Sequence, residues 1–176
     1  MRFGDERESL VESLQTERLT LKPLTKDQVQ AGLAHLDSSE RAQISEKWLQ
    51  LLAASRPIDP WVHGFEVHHS QSRVLVGKCG FKGPPDEEGV VEIAYGTHKD
   101  HEGKGYATEA ARALVNYSFA SGKVRRVVAH TLPEVNASGR VLAKCGFRKV
   151  GEAMDPDDGL VWRWEIDETS VNQLAR

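Results

Sequence analysis

The apolar positions change period several times along this chain, and each change marks an element. Val90-Val91-Glu92-Ile93-Ala94-Tyr95 is apolar and β-branched, the pattern of a buried strand interrupted by one carboxylate. Farther on, Ala107, Ala110, Ala111, Leu114, Val115 and Phe119 recur at the spacing of one helix face. Thr108, Glu109, Arg112 and Asn116 fall on the other face, and Ser121-Gly122 supplies the stop. Residues 124–131 return to strand character. Asn136 then caps a second helical pattern that Gly146 ends. Residues 147–153 and 160–166 read as a hairpin across Asp155-Pro156-Asp157-Asp158-Gly159. Upstream, 16–24 is a strand, Thr25 caps a helix through 36, and Ser38 or Ser39 opens another through 54. Arg56-Pro57-Ile58-Asp59-Pro60 breaks that helix, and 62–69 and 73–81 are strands joined at Ser70-Gln71-Ser72. Hairpins followed by strand–helix–strand–helix–hairpin predict a mixed sheet with helices packed on it.

Between the strand carrying Glu92 and the long helix lies Glu102-Gly103-Lys104-Gly105-Tyr106-Ala107-Thr108-Glu109-Ala110. Glycine lets backbone approach a ligand closely, and the first N–H groups of a helix have no internal partner. They also carry the positive end of the helix dipole, so a pyrophosphate is the natural guest, with Lys104 as a cation beside it. A Walker loop needs Gly-x-x-x-x-Gly-Lys-Ser/Thr, which is absent. A dinucleotide fingerprint needs a third glycine or alanine where Thr108 stands.

The loop, the Asn136-Ala137-Ser138 helix start and the Lys144-Cys145-Gly146-Phe147 ending together resemble the GNAT superfamily of acetyl-CoA-dependent N-acetyltransferases. Glu17-Arg18-Leu19-Thr20-Leu21-Lys22-Pro23-Leu24 resembles the opening strand of the branch containing the ribosomal-protein N-terminal acetyltransferases. The resemblance implies an α/β fold around a mixed, mostly antiparallel twisted sheet of about six or seven strands, with helices on both faces. It implies acetyl-CoA as cosubstrate and a primary amine, either a protein N-terminus or a small molecule, as acceptor. It assigns the loop residues Glu102, Gly103, Lys104, Gly105, Tyr106, Ala107 and Thr108 to the pyrophosphate. Ala94, Tyr95 and Thr97 fall beside the pantetheine arm, and Asn136 and Ser138 at the cofactor-facing helix. Two departures stand out. Glu102 occupies the position where the family carries Arg or Gln. Leu142 stands where many members carry a tyrosine that acts as acid to the thiolate, so Ser138 is the candidate to stabilise the departing sulfur.

N-acetylation also needs a base for the amine. Glu92 is the candidate, as the sole carboxylate in an apolar strand whose burial would raise its pKa; an edge-facing or salt-bridged role is the alternative, and His98 and His130 are weaker candidates. The acceptor pocket is expected from about 36–39, 57–61 and 154–162, with Trp61 as a wall and Asp157 or Asp158 facing a cationic amine. Trp162 and Trp164 alternate onto one strand face and read as core.

Composition narrows the class. The 176 residues suit one core: a polar extension over 1–14, one acetyltransferase domain over 15–170, and a tail over 171–176. A formal net charge of -3 argues against a nonspecific nucleic-acid binder. No apolar run reaches membrane length, and Met1-Arg2-Phe3-Gly4-Asp5-Glu6-Arg7-Glu8 is too charged for a signal peptide, so a cytoplasmic protein is expected. Cys79 and Cys145 read as buried free thiols, and the seven histidines show no metal-ligand spacing. A homodimer is compatible with the sequence, which leaves oligomeric state open. The rival to an enzyme is a non-catalytic acyl-CoA-binding or regulatory module that keeps the loop and has lost turnover.

Overall fold

The computed structural model describes residues 12–156 and 158–170. In chain order it runs β1 (Leu14–Gln15), β2 (Leu19–Pro23), α1 (Lys26–Ala34), α2 (Ser38–Ala42), α3 (Glu46–Ala54), α4 (Pro60–His63), β3 (Phe65–His69), β4 (Leu75–Phe81) and β5 (Val90–Thr97). A 3-10 turn at Lys99–His101 leads to α5 (Tyr106–Ala120), β6 (Arg126–Thr131), α6 (Ala137–Lys144), β7 (Arg148–Asp155) and β8 (Gly159–Asp167). The strands make one eight-stranded sheet in the order β1-β2-β3-β4-β5-β6-β8-β7. Its one parallel pair is β5 with β6; the rest are antiparallel.

The sheet carries one strand more than the six or seven expected. The addition is β1, two residues paired as Leu14↔Leu21 and Gln15↔Thr20, too short to show any period. It takes the last residue of what reads as a polar extension. Residues 1–11, 157 and 171–176 lie outside the described residues, and with them most of the predicted extension and tail and the candidate Asp157. The helix expected through 54 is two helices. Ser45 starts the second, its hydroxyl accepting from the Trp48 N–H at 3.4 Å. The expected break at 56–60 is in part a helix start: Pro60 sits in the first turn of α4, where its missing N–H costs nothing, and Asp59 caps it through the Trp61 N–H.

The predicted apolar face of α5 faces inward. Ala110, Ala111, Leu114 and Val115 are buried beneath β2, β4 and β5, against Leu19, Leu21, Val91 and Ile93. Beside α5, α6 packs on β6. At the α4–β3 corner the backbones touch: a Cβ on Gly80 would lie 2.8 Å from the Gly64 Cα, so only glycine fits. Among the described residues, no helix is long and apolar enough to cross a membrane.

One irregularity positions everything that follows. β5 and β6 pair only as Val90↔Arg126, Val91↔Val127 and Glu92↔Val128, although β5 runs on to Thr97 and β6 to Thr131. Beyond Glu92 the two strands part. β5 stays paired with β4 through Thr97 and β6 with β8 through Thr131, so the sheet opens as a V between them.

Candidate active site

The glycine loop closes over the mouth of that V. Gly103 and Gly105 adopt left-handed backbone, φ 72° and 81°, which turns the chain sharply into α5 with Gly105 as its N-cap. Gly105 has no side chain to cap the helix. The N–H groups of the first turn therefore face outward with the positive end of a 15-residue helix behind them. The loop is held from outside: the Arg18 guanidinium donates to the Lys104 carbonyl at 2.9 Å and pairs with Glu109 at 2.8 Å.

A cleft of about 750 Å³ runs from this helix start into the V. Its walls bring together Tyr95, Thr97, Glu102, Gly103, Gly105, Tyr106, Ala107, Thr108 and Ser138, nine of the residues singled out for the cofactor. Three others stand apart. Ala94 of β5 lines a different cavity. Lys104 turns its ammonium back to the Asp100 carbonyl at 3.2 Å, and Asn136 spends its side chain capping α6 through the Gly139 N–H at 2.9 Å. The cations that do line the cleft are Arg140 and Lys144. Their four-residue spacing on α6 put them on one helix face, a signal that went unused in the sequence because nothing marked which face met the cofactor. A larger cleft, about 930 Å³, lies between the 13–18 segment and α5 and shares Gly105, Thr108 and Lys144 with the first. It lacks Tyr95, Thr97 and Ser138, which the smaller cleft brings together with the glycine loop, so the smaller cleft is the candidate site.

Glu92 is the last paired residue before the strands diverge, and strand alternation places it opposite the buried Val91 and Ile93. Its surroundings are not the apolar ones that its neighbours suggested. Oε1 accepts from the Lys82 ammonium at 2.8 Å and from His130 Nδ1 at 3.0 Å. Burial lowers the Lys82 pKa, but the hydrogen bond and charge of Glu92, with the charges of Asp155 and Asp158, outweigh it and hold that pKa above its ordinary value. His130 Nε2 is buried and has no hydrogen-bond partner among the described residues. Strand spacing put His130 at a strand end without showing that it meets Glu92 across the parallel pair. His98 is exposed and caps nothing with its side chain.

On the other side of β5 a third cavity, about 340 Å³, lies between Trp48, Val62 and His63 of α3–α4 and Cys79, Ala94 and Tyr95 of β4–β5. Tyr95 lines both this cavity and the candidate cleft. Trp61, expected as a pocket wall, is partly buried and packs against the core, 4.5 Å from Phe81 and 5.2 Å from Tyr117. Trp164 lies against Gly139 and donates to the Thr131 hydroxyl at 3.1 Å, as a core residue does. Cys79 and Cys145 are buried free thiols, with burial pushing their pKa values up to about 12 and about 11. Among the described residues no cluster of His, Cys, Asp or Glu could hold a metal.

The chain as a whole is similar to known proteins. Residues 18–148 match the acetyltransferase (GNAT) domain. The chain belongs to this family. YjdG of Bacillus subtilis, an uncharacterized N-acetyltransferase, is 34% identical over 53% of this chain and 53% of its own length, so the match spans about half of that relative. The ribosomal protein uS5 alanine N-acetyltransferase of Escherichia coli is 33% identical over 36% of this chain and 32% of its own, which supports the Rim-type resemblance of this GNAT chain. A mutant of spermidine N-acetyltransferase SpeG from Vibrio cholerae superimposes with a TM-score of 0.67 over 92% of this chain and 100% of its own; at 18% identity it shows the shared GNAT fold.

Proposed function

We propose that this chain transfers an acetyl group from acetyl-CoA to a primary amine by direct attack in a ternary complex. The observation that carries the proposal is the alignment of the divergent β5–β6 edge with the open N–H groups of α5. One face offers an extended amide arm the free strand edge at 94–97, and the other offers a pyrophosphate the helix start. Arg140 and Lys144 add the cationic wall that a phosphorylated cofactor favours. Glu92 takes the amine proton directly or through water, with His130 hydrogen-bonded to it, and Ser138 meets the sulfur. The acceptor is a protein N-terminus, as the name of the uS5-directed relative suggests, or a small amine, as the name of SpeG suggests.

Acetyl-CoA at about 100 times its dissociation constant should stabilise the fold by roughly 2.7 kcal/mol. For a domain of this size that is about 5–10 °C in melting temperature. NAD and ATP should give much less; a shift with ATP and none with acetyl-CoA would overturn the cofactor assignment. A second reading, an acyl-CoA-binding module without turnover, draws on the fully buried Leu142 at the family's tyrosine position. CoA release measured across a panel of amines and peptides separates the two.

A further inference from the structure

The sulfur leaving acetyl-CoA needs a partner, and α6 supplies no tyrosine. Leu142 is fully buried among the core side chains, so nothing at that position reaches the cleft. Across the V, however, a phenol stands where the helix lacks one. Tyr95 Oη donates to the Ser138 carbonyl at 3.1 Å and lies 3.2 Å from the Ser138 hydroxyl, so its one O–H turns from that carbonyl to sulfur in the step inferred below. Both residues line the cofactor cleft, and Tyr95 alone of the pair also lines the cavity behind β5.

We infer that the Tyr95 hydroxyl, together with that of Ser138, receives the CoA sulfur as the acetyl group departs, replacing from β5 the tyrosine missing from α6. The inference rests on the acetyl-transfer reading above. In the step, the amine nitrogen bonds to the carbonyl carbon, the carbon–sulfur bond breaks, and its electron pair stays on sulfur. The amine proton passes to Glu92, and the thiolate is held by two O–H donors until it is protonated by solvent.

Tyr95 donates a hydrogen bond here and keeps its proton. Burial pushes its pKa up to about 12, with Ser138 pulling weakly the other way, whereas a simple thiol titrates near 8.5. Transfer of the phenolic proton to the thiolate is then uphill by roughly three orders of magnitude. A hydrogen bond to an anion requires no such transfer and grows stronger as charge develops on sulfur. Tyr95 is thus an anion-stabilising donor, distinct from a general acid.

The test reads the bound thiol directly. CoA is titrated with pH in complex with the wild type, Tyr95→Phe and Ser138→Ala, following thiolate absorbance. Two hydroxyl donors should hold the bound thiol below its free value. Each single substitution should raise it by about one unit, a tenfold change in the ionisation equilibrium. A control that does not depend on fold stability compares CoA with desulfo-CoA above the thiol pKa: the preference for CoA should fall about tenfold in Tyr95→Phe. If CoA binds and its thiol titrates identically in wild type and Tyr95→Phe, this inference is overturned while acetyl transfer stands. If no variant binds CoA, the acetyl-transfer reading itself fails.

Discussion

Glu109 shows how much of the site is held from outside the cleft, and Glu109→Gln measures it. Its Oε1 accepts from the Thr16 hydroxyl at 2.5 Å and the Arg18 N–H at 2.7 Å; Oε2 accepts from Arg18 Nε at 2.9 Å and from a second guanidinium nitrogen at 2.8 Å. An amide turns one of those oxygens into a donor facing two donors, whichever way it is flipped. A hydrogen bond to a charged group contributes about 1.5–3 kcal/mol. The guanidinium pair deserves a discount, because the Arg18 side chain is 42% exposed and exposed pairs contribute about 0–1 kcal/mol. The net expectation is a loss of about 2 kcal/mol, or about 4–8 °C in melting temperature at neutral pH. The sign with pH follows from the same contacts. Burial raises the Glu109 pKa, but the bonds from Thr16 and Arg18 and the Arg18 charge outweigh it and hold that pKa below the ordinary carboxylate range. Its stabilisation is therefore complete above the unfolded value, about 4.3, and is lost as pH falls through the lower folded value. Thermal melts of both proteins from neutral to strongly acidic pH should show a constant gap that closes in acid. A gap under about 1 °C at neutral pH, or one that persists undiminished into acid, would refute the reasoning.

Two more predictions concern the proposed base and the glycine loop. Glu92→Gln should leave acetyl-CoA binding near normal and lower turnover by about 10²–10⁴-fold at saturating acetyl-CoA, with Ser138→Ala less severe; full rate in Glu92→Gln would make Glu92 structural. Gly105→Val should weaken CoA binding, because a β-branched residue is strained at φ 81° and its Cβ would lie 3.2 Å from an Arg18 nitrogen. Lys104→Ala should be milder, since that ammonium is turned toward Asp100; calorimetric titration showing the larger loss from Lys104→Ala would overturn recognition by backbone.

Elements with a long, clean period were legible. The inward face of α5 and the strand character of 90–95 rest on many residues agreeing at once, and the glycine loop between them reads because few physical uses exist for two glycines before a helix. The two-residue β1, the α2–α3 break and α4 depend on single caps and edge pairings, which leave almost no periodic trace. Within the site the same rule holds at the scale of side chains. The nine expected cofactor residues that share the cleft lie consecutively or beside strand and helix ends, where backbone geometry alone places them. Lys104 and Asn136 were placed by type, and a long or capping side chain answers to its nearest partner instead.

What no linear reading provides is a meeting of elements far apart in the chain. Glu92 and His130 are 38 residues apart and touch only because β5 and β6 run parallel in that register. Tyr95 and Ser138 are 43 apart and touch only because those strands then diverge and α6 crosses the opening. The point where pairing stops therefore sets both chemistries: before it, the shared register brings a carboxylate to an imidazole; beyond it, the open edge lets a phenol meet a helix start. A shift of one residue in the β5–β6 register would turn Glu92 to the opposite face and Tyr95 away from Ser138 together. Glu92 and Tyr95, the groups proposed to accept the proton and receive the sulfur, are thus placed by one structural feature, and substitutions that disturb the Glu92↔Val128 pairing should damage both readouts at once, whereas Tyr95→Phe should alter the thiol titration, the preference for CoA over desulfo-CoA and turnover.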